Sequence, residues 1–217
     1  MARPLNETLT AGKALIFRIT HRSNVPWILK NGLHCSRSDI KDANFAAIGS
    51  AELIEKRSHR EVPVPPRGTL DNYISFYFTP FSPMLLNIKT GHGGIRPQQN
   101  RDIVILVSSL PSLEEYGVNF VFTDRHAYLT AANFYGDRVH LDQVDFELLQ
   151  TRDFSRDSED PGKTERYQAE ALAHRHVPFA ALEGLACYTS EVKTAIDAEA
   201  SKRGLELKTV VQPGWYF

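Results

Sequence analysis

The chain has few cysteines, no long apolar run and almost no net charge, and each shortage removes a class of protein. Cys35 and Cys187 are the two cysteines among 217 residues. Neither stands in a CxxC pair, so a disulfide framework and a thiolate metal centre both lack ligands, and buried free thiols are expected. No stretch approaches the ~18 consecutive apolar residues of a membrane-spanning helix, and the opening MARPLNETLTAGKALIF lacks a basic segment followed by an apolar one. A cytoplasmic chain without membrane contact is the expectation. The formal charge of -1 means that any binding of nucleic acid has to rest on a local cluster of cations. Motifs are missing too: there is no GxGxxG or GxxxxGK[ST] phosphate loop, no GxSxG elbow and no HExxH pair. The glycine-rich TGHGG at 90–94 opens no evident helix. His174 and His176 have no supporting ligand motif, so no metal is expected.

What is present is an ordinary globular composition, 42% hydrophobic and 24% charged, in a length that suits one domain. Period and punctuation predict strands at ALIFRIT (14–20), YISFYFT (73–79), DIVILVS (102–108), FVFTD (120–124), AEALA (169–173), GLACYT (184–189) and LELKTVV (205–211). Helices are predicted at SNVPWILKNGL (23–33), with Ser23 as cap and Gly32 as terminator, at AYLTAANFY (127–135), near 144–150, and at EVKTAIDAEASKRG (191–204). The order is mixed rather than alternating βαβ, which favours α+β with a mostly antiparallel or split sheet. One domain over 1–217 is expected. It carries an insertion at about 36–72, part helical and then broken by the prolines of EVPVPP.

Polar residues gather at strand ends. His21 closes FRITH, Arg57 lies in IEKRSHR, His126 ends FVFTDRH and Glu170 heads the short apolar run of QAEALA. Singly, each has a plain reading as a turn histidine, a solvated helix charge or a glutamate facing water. Together they are how a cleft on a rigid sheet is furnished. Alternation in YISFYFT puts Ile74, Phe76 and Phe78 on a core face and Tyr73, Ser75, Tyr77 and Thr79 on the other, a face open to two readings, a plain polar sheet face or one whose tyrosines flank a flat ring. Lys56, Arg57, Arg60 and Arg67 form a short cationic run open to two readings, a solvated helix face or a set of phosphate contacts.

As a set and in this order, FRITHRSNVPWILKNGL, EKRSHREVPVPP, NYISFYFTPFSPML, FVFTDRHAYL and ERYQAE closely resemble the DarT family of DNA ADP-ribosyltransferase toxins. The resemblance runs from about residue 15 to 175 and more loosely to the final GWYF. It implies an ADP-ribosyltransferase-like fold whose split sheet encloses an NAD cleft, with the insertion covering it. It also implies transfer of ADP-ribose from NAD to a base of single-stranded DNA, thymine rather than guanine, and a DarG-type macrodomain antitoxin as partner. By this resemblance Glu170 is the catalytic glutamate and Arg57 the active-site arginine. His21, Asn24, Arg57, Tyr77 and His126 fall to NAD, and Lys56, Arg60, Arg67 and His126 to DNA. Three alternatives stay open on the residues themselves: an enzyme of the same fold acting on RNA, one acting on protein, and a non-catalytic module binding single-stranded nucleic acid.

Overall fold

The computed structural model describes residues 5–217, so the first four residues of the expected domain lie outside the described residues. In chain order the elements are α1 (Leu5–Thr8), β1 (Leu15–His21), α2 (Val25–Asn31), β2 (Leu33–His34), α3 (Ala51–Arg57), β3 (Tyr73–Tyr77), α4 (Pro83–Thr90), β4 (Ile103–Ser109) and α5 (Leu110–Glu115). They continue with β5 (Phe120–Thr123), β6 (Phe134–Tyr135), α6 (Phe146–Thr151), α7 (Lys163–Arg166), β7 (Glu170–His174), β8 (His176–Val177), β9 (Gly184–Cys187), α8 (Ser190–Ser201) and β10 (Thr209–Val211).

Eight strands form one sheet in the order β10-β9-β4-β1-β3-β7-β5-β6, and β2 pairs with β8 apart from it. All pairings in the large sheet are antiparallel except β9 with β10. β1 runs beside β4 for its whole length, from Leu15↔Ser109 to His21↔Ile103, but meets β3 in register only at Phe17↔Tyr77. That is the expected split: the sheet opens between β1 and β3 because one backbone pair cannot hold a ladder shut. β3 then pairs fully with β7, and Tyr77 stands opposite Glu170. The row that bridges the seam therefore continues into the glutamate.

Alternation sorts the central strands into two cores. Ile74, Phe76, Phe78, Phe122, Ala171 and Ala173 join the main core. Tyr73, Val121 and Leu172, on the opposite face, pack with Val62 and Leu70 of the 36–72 segment, with Ala127 and Ala132 of the β5–β6 connection and with Phe134 of β6. This second core fastens both loops onto the face that carries Ser75, Tyr77 and Glu170. The two-residue period of a strand thus decides which side chains meet there.

Several expected elements change. Residues 127–135 do not form a helix: the backbone turns through Leu129 N–H to His126 O and Ala132 N–H to Leu129 O, and it ends in β6. Burial of Ala127, Ala132 and Phe134 in the second core overrides local helix propensity. LELKTVV shortens to β10. Ser23 does not cap α2; the cap position is Asn24, with no side-chain capping bond, because its amide is engaged elsewhere. Gly32 does end that helix at φ 73, where a Cβ would lie 2.3 Å from Val177 O. The unexpected helices α4 and α5 start after Ser82 and Ser109, which cap them, with proline in the first turn of each. His174 and His176 are separated by Arg175 at φ 62, so the strand does not run through both. Each packs at a tilt against a different ring, Tyr73 and His34 respectively. Cys35 and Cys187 are buried and free.

Candidate active site

Glu170 is 1% exposed, not the solvated strand head that its charge suggests. A carboxylate is tolerated there because its oxygens are met by fixed donors. The Arg57 guanidinium donates Nη1 to Oε1 at 3.0 Å and Nη2 to Oε2 at 2.9 Å, a two-pronged pair between residues 113 apart in sequence. The Ala127 amide donates to Oε1 at 3.0 Å. The glutamate is tied to β5 as well, its backbone N–H donating to Thr123 Oγ1 at 3.2 Å. Arg57 sits in the last turn of α3, which Ser50 caps by accepting from Leu53 N–H. Its Nη2 is anchored a second time on Ser75 Oγ at 2.6 Å.

Burial works to raise the Glu170 pKa, but the charge of Arg57, the nearby His126 and the hydrogen bonds from Arg57 and Ala127 outweigh it, so the carboxyl is held below its ordinary value. Burial likewise works to lower the Arg57 pKa and is outweighed by Glu170. The pair is ionised. A carboxylate offers about four lone-pair sites; Arg57 takes one on each oxygen and Ala127 a second on Oε1, which leaves Oε2 able to accept one further bond.

His126 Nδ1 lies 3.8 Å from Glu170 Oε1. That nitrogen accepts from Tyr128 N–H at 3.3 Å, which assigns the ring proton to Nε2. Burial lowers its pKa further than Glu170 raises it, so at neutral pH the imidazole is an uncharged neighbour rather than an ion-pair partner. Tyr77, in register with Glu170, has its phenol pushed up by burial and by the glutamate's charge; its hydroxyl donates to Met84 Sδ at 3.8 Å.

The other residues expected at the site are placed differently. His21 Nδ1 accepts from Ser23 N–H at 3.2 Å and faces Ser23 Oγ at 2.7 Å, closing the turn after β1. Asn24 is fully buried; its amide donates to Thr20 Oγ1 at 2.9 Å and Ala46 O at 3.0 Å and accepts from Ala46 N–H at 2.9 Å. It latches the 36–50 segment onto the end of β1. Lys56 is exposed and paired with Glu52. Arg67 is exposed, at φ 65. Arg60 does not point outward as a phosphate ligand would: its Nη2 donates to Leu129 O at 3.0 Å and its guanidinium lies over the Phe134 ring at 5.7 Å.

Three participants were not anticipated. Arg18 reaches across the seam from β1 and donates Nη1 to Ser75 O at 2.7 Å. Burial and the charge of Arg57 lower its pKa to about 10. A charge inside the apolar run ALIFRIT was the available signal. Asp124, 8% exposed, accepts from Asn133 N–H and Asn133 Nδ2, both at 3.0 Å, and closes the loop that presents Ala127. The Ala127 amide itself has no side chain to betray it.

A mixed sheet opened at one seam, with a buried glutamate one strand from the opening, agrees with the ADP-ribosyltransferase-like fold that the family resemblance implies. Comparisons narrow the class. Residues 17–217 match the family described as ssDNA thymidine ADP-ribosyltransferase, DarT, and the chain belongs to that family. It is 50% identical to a DNA ADP-ribosyl transferase of Escherichia coli O127:H6 (strain E2348/69 / EPEC), covering 100% of each chain. Its structure resembles Thermus sp. 2.9 DarT in complex with ADP-ribosylated ssDNA, with a TM-score of 0.86 at 30% identity over 100% of each chain. It also resembles the same protein in complex with NAD+, with a TM-score of 0.81 at 30% identity over 94% of this chain and 98% of that one.

Proposed function

We propose that the protein transfers ADP-ribose from NAD to thymine in single-stranded DNA, with Glu170 as the catalytic carboxylate. The observation that carries this is the two-pronged pair of Arg57 with the buried Glu170 beside the β1–β3 seam, in a chain of the DarT family. Cleavage of the bond between the nicotinamide nitrogen and ribose C1′ develops positive charge on the ribose, as in glycoside cleavage. The open lone pair of Glu170 Oε2 suits the ribose 2′-hydroxyl, and the nearby negative charge stabilises the oxocarbenium-like transition state. Arg57 keeps that carboxylate ionised and fixed. The new bond forms between C1′ and a thymine ring nitrogen, whose N–H must lose its proton. The reaction therefore balances as NAD+ and thymidine giving nicotinamide, the ADP-ribosylated base and one proton.

The acceptor is single-stranded because a base reacting at its pairing edge has to leave the stack. Tyr77 is proposed to lie against the bound nucleotide, and the exposed Lys56 and Arg67 to approach phosphates. Asn24 and His21 are proposed to serve NAD through the backbone that they hold. A toxin role, a macrodomain antitoxin of the DarG type and a cytoplasmic setting belong to the same proposal. Among the described residues no helix is long and apolar enough to cross a membrane.

The test incubates the protein with NAD labelled in the adenosine moiety and separate pools of DNA oligonucleotides, each containing one base, together with RNA and protein. Mass spectrometry is expected to find ADP-ribose on thymine-containing DNA alone. Labelling confined to RNA or protein, or no NAD consumption with any acceptor, overturns the reading.

A further inference from the structure

Two of the donors to Glu170 come from different loops. Arg57 ends α3 in the 36–72 segment, and the Ala127 amide belongs to the β5–β6 connection. Arg60 joins them. Its backbone is fixed on both sides, by its N–H donating to Arg57 O at 3.2 Å and its carbonyl accepting from Leu70 N–H at 2.9 Å. Its side chain crosses to the other loop, where Nη2 donates to Leu129 O at 3.0 Å. The same Leu129 carbonyl accepts from Ala132 N–H, and Leu129 N–H donates to His126 O. The turn that carries Ala127 is thus held from inside by its own backbone and from outside by Arg60. Phe134, beneath the guanidinium at 5.7 Å, fixes its plane. The Arg60 Nε is screened from solvent and makes no hydrogen bond. A side chain serving phosphates is expected to keep that nitrogen in water.

We infer that Arg60 is a positioning residue for the transfer reaction: it sets the 126–132 turn so that the Ala127 amide meets Glu170 Oε1, and it acts on turnover rather than on DNA affinity. The inference rests on the assignment of Glu170 as the catalytic carboxylate. Misplacing a group by about 1 Å beside a reacting centre costs up to ~10²-fold in rate, whereas losing one phosphate contact to a single strand weakens binding and flattens the salt dependence by about 0.7 in log–log slope.

The experiment measures kcat and KM for a thymine-containing single-stranded oligonucleotide at several salt concentrations, with wild type, Arg60→Ala, Arg60→Lys and Glu170→Gln. Arg60→Ala is expected to lower kcat by about tenfold to a hundredfold, with KM for DNA within about twofold and an unchanged salt slope. Arg60→Lys keeps the charge but not the planar fork, and is expected to show the same kcat defect; it decides the matter if the alanine variant does not fold. A wild-type kcat with raised KM and a shallower slope in Arg60→Ala, or a wild-type kcat in Arg60→Lys, overturns the inference. Glu170→Gln separates the two levels. If it transfers at the wild-type rate, the assignment of Glu170 fails and this inference with it. If it is inactive while the Arg60 variants keep wild-type kcat, this inference alone fails.

Discussion

Two strand ends of the same sheet carry polar clusters, and they close in opposite ways. At the end of β1, His21 bonds within two residues and Asn24 reaches no farther than Ala46, 22 residues on. At the start of β7, Glu170 gathers Ala127 from 43 residues away and Arg57 from 113. Local closure satisfies a turn and needs little beyond it. Long-range convergence of charges on one buried oxygen pair requires the rest of the fold to offset desolvation and the entropy of ordering. It leaves behind a carboxylate that is ionised, dry and incompletely saturated. Under the proposed function the β7 end is the place for chemistry, while the β1 end holds the 36–50 segment through Asn24.

The sharpest way to break this contrast is at Glu170. Glu170→Gln keeps the shape and removes the charge, and transfer is expected to fall by at least ~10²–10³-fold. Glu170→Ala adds an orphaned guanidinium and is expected to cost about 3–5 kcal/mol of stability as well. Rate with labelled NAD and urea unfolding measure the two effects separately. A Gln variant with near wild-type turnover returns Glu170 to the same rank as the β1 cluster.

Next in size is Arg57→Lys. It retains a cation but cannot make both bonds to the carboxylate and the third to Ser75. Turnover is expected to drop by roughly tenfold to a hundredfold, with a smaller loss of stability than in Arg57→Ala. Equal activity in wild type and the lysine variant shows that charge alone suffices and that the fork geometry is incidental.

At the β1 end, Asn24→Ala removes three hydrogen bonds from a buried site and leaves Ala46 groups unsatisfied. It is expected to cost about 1–3 kcal/mol in urea unfolding, with kcat changed only a few-fold. A tenfold or larger loss of kcat with stability intact reverses the comparison and places the β1 cluster in the chemistry.

How much of this was legible depended on the kind of signal. The mixed order of elements pointed to the antiparallel sheet, and the division of YISFYFT into two faces emerged, although both are buried, Ile74, Phe76 and Phe78 in the main core and Tyr73 in the second. Arg57, His126 and Glu170 were recognisable as a set but not their geometry: a glutamate at a strand head reads as solvated until a guanidinium 113 residues away is known to face it. The 127–135 stretch misled because alanines and a leucine at helical spacing serve a turn equally well when a second core captures them. The cationic run left Arg60 open as a solvated helix charge or a phosphate contact, because a run of cations carries no mark of which member turns inward. Backbone donors such as Ala127 N–H belong to the fold and have no letter in the sequence.

The smallest expected effect is a pH dependence that divides the same cluster. Glu170 has a folded-state pKa below its ordinary value of 4.5. Its contribution is complete above about 4.5 and is lost as pH falls through the folded value. His126 is lowered from 6.5, chiefly by burial, so the unfolded chain takes up its proton first. Stability therefore declines as pH falls below about 6.5, until the folded histidine also protonates. Both act in the same direction through different windows. His34 and His174, lowered by burial as well, add to the upper window. His126→Gln is thus expected to reduce the slope of urea midpoint against pH below 6.5 without abolishing it, and to leave the acid step below 4.5 in place. Glu170→Gln is expected to do the reverse. A His126→Gln variant whose slope below 6.5 steepens would show that the imidazole is charged beside Glu170 in the folded protein, making it an ion-pair partner of the carboxylate.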